Sequence, residues 1–122
     1  PHVLANVAWG NDYHYSAMWN SLRLPFTHFL EKDPHWADKF HVWRMDWDKE
    51  SIKLYIDDEL INETLLSETV NGRVGKHTNP FRSPQYILLN LAIGGQNGGP
   101  INDSAFPMKY LLDYVRIYQL QP

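Results

Sequence analysis

The alternation of apolar and polar positions along the chain predicts short strands. Residues 2–9, 40–47 and 51–57 each alternate with the period of two that a half-buried strand requires. Acidic turns at residues 48–50 and 57–59 follow the last two of these runs, which indicates a hairpin and a second turn. Because Asp favours turns through local backbone hydrogen bonds, we expect these acids to be structural rather than catalytic.

Two later segments extend the all-β pattern. Residues 86–93 are apolar on both faces, as expected for a central strand buried on both sides, and residues 108–120 read as a last strand. Residues 10–39 lack a sustained period, apart from one further strand or an irregular stretch within residues 23–30; their many aromatic side chains indicate order. Because no segment has a helical period over three turns, the predicted fold class is all-β, with two packed antiparallel sheets. We expect Trp43, Met45 and Trp47 to be core residues.

Composition excludes several classes of function. The 122 residues carry a net charge of −3 and no run of Lys or Arg, which argues against a nucleic-acid partner. No apolar stretch approaches the ~20 residues that cross a bilayer, and the absence of Cys excludes disulfides and thiolate chemistry. Aromatic residues form 14% of the chain, which fits either a core of large rings or a groove that stacks on a flat ligand.

Few residues suggest chemistry on their own. Asp113 lies mid-strand among apolar residues, so either calcium, an arginine partner or an exposed edge must compensate its charge. Asn90 poses the same question in the preceding strand, where its amide is either bonded within the sheet or faces a ligand groove. No strand face carries the pair of carboxylates that glycoside hydrolysis needs, so a catalytic pair has to lie elsewhere.

Three blocks together resemble family 16 glycoside hydrolases. The first block is FHVWRMDW at residues 40–47 with IKLYIDD at 52–58. The second is Phe81 and Pro84 followed by YILLNLAIGG at residues 86–95, and the third is Phe106-Pro107 followed by DYVRIYQ at 113–119. The order and spacing of the blocks match the family pattern over residues 40–119. The resemblance implies a concanavalin A-like jelly roll and a retaining, endo-acting hydrolase or transglycosylase on β-glucans or β-galactans.

The resemblance also implies roles for individual residues. Trp9, His14 and Trp19 correspond to cleft residues beside the catalytic strand, and Asn90 and Gln96 to positions on or after a strand that crosses the cleft. Asp113 corresponds to an aspartate that helps to bind a structural Ca²⁺. The family's catalytic motif, E-x-D-x-x-E, is absent from the sequence, so we expect no catalytic residue in this segment and no hydrolysis by it alone.

Residues 1–122 are therefore interpreted as the C-terminal part of one jelly-roll domain that lacks its first strands. The chain starts at Pro1 without Met or a signal peptide, which suggests processing or truncation; the resemblance implies a secreted, periplasmic or cell-surface enzyme. Its expected partners are a β-linked polysaccharide or oligosaccharide and either a missing N-terminal half or a strand-exchanged dimer, because open sheet edges pair with other chains. A non-catalytic carbohydrate-binding sandwich is the alternative, and a purely structural β-domain is a third hypothesis.

Overall fold

A computed structural model describes residues 1–121 and shows an all-β chain. The strands are β1 (His2–Gly10), β2 (Ala17–Pro25), β3 (Trp43–Trp47), β4 (Ser51–Ile56) and β5 (Glu59–Leu65). Two short helices, α1 (Thr27–Leu30) and α2 (Gly95–Gly98), are accompanied by 3₁₀ turns at Trp36–Asp38, Leu66–Glu68, Arg73–Gly75, Pro80–Arg82 and Asp103–Ala105. The strands form two antiparallel sheets, β1–β2 and β3–β4–β5. The fold class predicted from the alternation is therefore confirmed.

The first sheet is one long hairpin. β1 and β2 pair from His2 with Pro25 to Gly10 with Ala17. In β1 the buried positions alternate as the sequence predicted, at Val3, Ala5 and Val7. β2 was largely missed by the sequence prediction, which suggested strand only within residues 23–30. Its partly buried face includes Asn20, and this polar residue interrupts the apolar alternation on which the prediction depends.

The second sheet contains both acidic turns. The hairpin between β3 and β4 is closed by Asp48, whose Oδ1 accepts hydrogen bonds from Glu50 N at 2.7 Å and Ser51 N at 2.8 Å. Asp57 and Asp58 connect β4 to β5 and both have positive φ, 48° and 66°, as a two-residue hairpin turn requires. The prediction that these acids are structural is confirmed.

The two sheets pack against each other through their apolar faces. One core cluster contains Val3, Phe29, Trp36 and Ile56, and the other contains Val7, Ile52 and Leu66. Two asparagines join the sheets at the centre. Asn62 Nδ2 donates to Ala5 O at 2.8 Å, and Asn20 Nδ2 donates to both Glu63 O and Thr64 Oγ1 at 2.8 Å. Backbone groups that the core would otherwise leave without partners are thus satisfied by side-chain amides.

The segment between β2 and β3 closes one end of this core. The ring of Trp36 stacks on Phe29 at 4.3 Å and meets Phe26 edge-on at 5.5 Å between ring centroids. These contacts confirm that the aromatic side chains order the segment, although it forms only one helical turn and one 3₁₀ turn. Apolar burial, rather than a regular hydrogen-bond ladder, determines its path.

The prediction that Trp43, Met45 and Trp47 are core residues is wrong. They do share the face of Ile52, Leu54 and Ile56, with which they pair, but β3 is the edge strand of its sheet. Trp43 is 62% exposed and Met45 54% exposed, and both line an open groove beside Leu4. Alternation identified the correct face of the strand, but burial also needs a second layer over that face.

The two later strand predictions are also wrong. Neither residues 86–93 nor residues 108–120 form a strand, and their apolar side chains are exposed, Leu88 by 75%. The chain separates into two compact units, Pro1–Gln85 and a second that begins at Tyr86, and all five strands lie in the first. A strand exists only through hydrogen bonds to a neighbouring strand. An apolar sequence can indicate that a segment suits such pairing, but it does not supply the partner.

Candidate functional site

A short, tightly bonded turn connects β1 to β2 at one end of the hairpin. Asn11 organises it, since its Oδ1 accepts from Tyr13 N at 2.8 Å and its Nδ2 donates to Ser16 Oγ at 2.7 Å. Tyr15 takes up a positive φ of 59° within the turn. Side-chain to backbone bonds of this kind are the reason that Asn is favoured in turns. The turn presents Asp12 and the exposed Tyr13 at the end of the sheet.

A second loop, residues 71–78, is bonded directly to this turn. Asn71 Oδ1 accepts from Gly10 N at 2.7 Å, and Gly72 N donates to Gly10 O at 3.0 Å. Arg73 N donates to Asp12 Oδ1 at 2.7 Å. Gly72 is required by the close approach, because a Cβ there would lie 2.4 Å from the backbone carbon of Asn11. The two loops therefore form one connected unit.

Between the two loops lies an open depression of about 440 Å³, lined by Asp12, Tyr13, Arg73 and His77. The ion pairs formed among residues 1–121 include neither Asp12 nor Arg73. The lining thus combines an aromatic ring with polar side chains, of which Asp12 is already bonded through Oδ1 to Arg73 N. Because Asp12 is its one carboxylate, the depression lacks the pair of carboxyl groups that hydrolysis of a glycosidic bond needs.

The structure brings three of the predicted substrate-binding residues, Trp9, His14 and Trp19, to the same hairpin. His14 is exposed in the turn beside Tyr15, with 6.2 Å between their rings. Trp9 pairs with Met18, and Trp19 pairs with Ala8 and is 60% exposed. Since directly paired residues share a face and neighbours alternate, Trp9 and Trp19 lie on opposite faces of the hairpin. One flat ligand therefore cannot stack on both rings from a single side of the sheet.

The other predicted site residues, Asn90, Gln96 and Asp113, belong to the second unit. Asn90 is exposed in an irregular segment, which corrects the expectation that it lies on a strand, and Gln96 is exposed on α2. Asp113 is exposed as well and lies on no strand; of the alternatives for its charge, the structure shows exposure to solvent. Their roles in binding sugar or calcium stay predictions.

A calcium ion at Asp113 would need several oxygen ligands besides this carboxylate. Within residues 1–121, no group of three His, Asp or Glu side chains is arranged to hold a metal ion. Calcium normally takes six to eight oxygen ligands, of which one carboxylate supplies at most two. The expectation of Ca²⁺ at Asp113 thus receives no support from the arrangement of the described side chains.

His41 and Asp57 form a second polar cluster, which is structural. His41 Nδ1 lies 2.5 Å from Asp57 Oδ2, and its Nε2 lies 2.6 Å from the carbonyl oxygen of Trp36. Partial burial would raise the pKa of Asp57, but hydrogen bonds from the Val42 backbone N–H and from His41 outweigh it and hold the pKa below 3.8. The cluster fastens the segment before β3 to the turn after β4.

The sequence prediction missed the depression, although two signals pointed to it. Asn11-Asp12 directly follows a predicted strand, and Asn71-Gly72 marks a second turn. Polar loops at strand ends are frequent binding positions. What the sequence did not indicate is that the two loops, some 60 positions apart, are bonded to each other through Gly10 and Asn71.

Comparison with known proteins identifies the family. The model of glycosyl hydrolases family 16 matches residues 8–116. The chain belongs to this family. The matched range includes the end of β1, all of β2, both loops of the depression, the first two sequence blocks and most of the third. The resemblance recognised in the sequence is confirmed, and with it the assignment to the family's jelly-roll class.

Three relatives show which kinds of protein this family 16 chain is similar to. It is 36% identical to the beta-glucanase of Rhodothermus marinus over 86 residues, which are 66% of the chain and 29% of that enzyme. It is 30% identical to glucan endo-1,3-beta-glucosidase A1 of Niallia circulans over 119 residues, 95% of the chain and 15% of the enzyme. It is 29% identical to the beta-1,3-glucan-binding protein of Penaeus monodon over 116 residues, 79% of the chain and 30% of that protein.

The chain spans less than a third of the length of each of these three relatives. No solved structure is significantly similar to it. No helix among residues 1–121 has the length and apolar character needed to span a membrane.

Proposed function

We propose that the chain is the substrate-recognising part of an endo-acting, retaining family 16 hydrolase that works on β-glucan. The observation that carries the proposal is the family match over residues 8–116, which extends across nearly the whole chain. The relatives named above support glucan as the substrate, since each name refers to a β-glucan or its hydrolysis. The proposed location, which follows from the family resemblance, is secreted, periplasmic or on the cell surface.

The residues of the chain indicate whether it would bind the glucan or cleave it within such an enzyme. Retaining hydrolysis of a glycosidic bond uses two carboxyl groups about 5 to 5.5 Å apart. The depression offers one carboxylate together with groups suited to binding, so the chain's own residues would hold and orient the glucan. The carboxyl pair would come from residues other than these 122.

Non-catalytic glucan binding is the second candidate function. The similarity to the beta-1,3-glucan-binding protein of Penaeus monodon favours it, and binding requires nothing beyond the groups described above. The coding sequence upstream of Pro1 separates the two candidates. An E-x-D-x-x-E motif in that region supports the hydrolase, and its absence supports the binding protein.

A binding experiment on the 122-residue chain tests the shared part of both candidates. Affinity electrophoresis through gels containing β-1,3-glucan, mixed-linkage β-1,3-1,4-glucan or β-1,4-galactan compares mobility with a sugar-free gel. We expect retardation by at least one glucan and no release of reducing sugar from it. Retardation by galactan alone would move the proposed substrate to β-galactans, and free migration in all gels would contradict a recognition role.

A further inference from the structure

We infer that the depression formed by Asp12, Tyr13, Arg73 and His77 is a subsite for one neutral hexose unit of a glucan chain. The inference rests on the proposed function and adds to it a location and a set of contacts. None of these residues was indicated by the sequence blocks that identify the family. The case depends on two features of the depression, its chemistry and its rigidity.

The chemistry of the lining suits a polyhydroxylated ring. Asp12 and Arg73 carry planar groups with two or more hydrogen-bonding atoms, which match pairs of neighbouring hydroxyls. Carboxylate oxygens accept from hydroxyls and guanidinium N–H groups donate to them, so both roles of a hydroxyl are served. Tyr13 is 72% exposed and offers a ring face to the apolar side of a sugar.

The balance of charge in the depression favours a neutral ligand. Arg73 and Asp12 contribute one positive and one negative charge on opposite loops, and His77 adds a titratable imidazole. Lys76 belongs to the same turn but does not line the depression. An anion bound beside Arg73 would also face the carboxylate of Asp12 and be repelled by it, whereas a sugar hydroxyl can bond to both groups.

Hydrogen bonds hold the backbones of the two loops and the Asp12 carboxylate in place before a ligand arrives. Bonds from Gly10 to both Asn71 and Gly72 join the loops, and the bond from Arg73 N to Asp12 Oδ1 fixes the carboxylate. Asn71 N also donates to Thr78 O at 2.9 Å, closing the second loop on itself. Binding to such a site requires little ordering of backbone, and this lowers the entropic cost of association.

Two pairs of variants of the full chain test the subsite. Tyr13→Ser and Arg73→Gln alter the lining, while Tyr15→Ser and Lys76→Gln make the same changes at exposed neighbours outside it. The ligand is a β-1,3-linked glucose hexamer, and binding is measured by isothermal titration calorimetry. Circular dichroism and a thermal melt check that all variants are folded like the parent.

We expect Tyr13→Ser and Arg73→Gln each to weaken binding about fivefold to tenfold, and both controls to stay within about twofold of the parent. If the parent binds and all four variants bind equally well, the subsite is wrong while the proposed function stands. If the parent binds no glucan, both the subsite and the proposed function are contradicted. If millimolar sulfate displaces the hexamer and Tyr13→Ser binds the hexamer as tightly as the parent, the depression is an anion site and the assignment to a hexose is overturned.

Discussion

Replacement of His41 by Asn tests whether the cluster with Asp57 stabilises the fold. The His41 side chain is only 10% exposed, and its two ring nitrogens face a carboxylate at 2.5 Å and a carbonyl oxygen at 2.6 Å. Both partners are acceptors, so each bond needs an N–H on the ring nitrogen that faces it. The ring also stacks on Trp36, with 3.9 Å between centroids. Asn is too short to reproduce this set of contacts.

The expected loss follows from those contacts. A hydrogen bond to a neutral carbonyl contributes about 1 kcal/mol, and one to a charged group contributes about 1.5 kcal/mol at the lower end. The lower end applies because the Asp57 side chain is 45% exposed and solvent screens the pair. Aromatic stacking adds about 0.5 kcal/mol. Asn retains part of the polar bonding, so we expect the free energy of unfolding to fall by about 2 kcal/mol.

His35→Asn is the matched control, since it makes the same change six positions earlier. The His35 side chain is 80% exposed, and its nearest carboxylate, Asp38, lies 3.5 Å away. A surface change of this kind is expected to stay within about 0.5 kcal/mol. Urea unfolding followed by tryptophan fluorescence measures both variants at the same pH. Equal losses for the two, or a loss below 0.5 kcal/mol for His41→Asn, would refute the stabilising role of the cluster.

Three further predictions concern the same sheets. Asp58→Gly should raise the free energy of unfolding by about 0.5 kcal/mol, because Gly adopts the φ of 66° without strain, while the lost bond to Arg44 joins exposed groups; destabilisation in urea would contradict this. Asn62→Ala should cost about 1–2 kcal/mol in the same assay by removing the bond to Ala5 O, whereas the adjacent Glu63→Ala should cost less than about 0.5. Finally, the pKa of Asp57 is lowered in the folded protein, so its contribution to stability is present above pH 3.8 and is lost as the pH falls through the lower folded value. Between pH 5 and 2, the melting temperature should therefore fall less steeply for Asp57→Asn than for the parent. Parallel falls in melting temperature would refute this.

Local features of the fold were predictable because local interactions determine them. The alternation in β1 identified Val3, Ala5 and Val7 as the buried face, and the turn after β3 was recognisable because Asp48 bonds to the backbone of Glu50 and Ser51. None of the predicted site residues lines the depression. Trp9, His14 and Trp19 do fall on one hairpin, but the depression depends on Asn71, whose contact with Gly10 joins positions 61 residues apart.

The family and the all-β class were thus determined by the sequence alone, since both depend on which residue types stand at which spacing. Tertiary structure decided which side chains are buried and which segments pair as strands, because both require a second surface. Trp43 and Met45 lie on the face that the alternation predicts, yet both are more than half exposed, because they line an open groove that no second layer covers. The apolar run at residues 86–93 suits a strand, yet it forms none. Hydrogen-bond ladders and burial each need a second surface, and a sequence pattern specifies only one side of that contact.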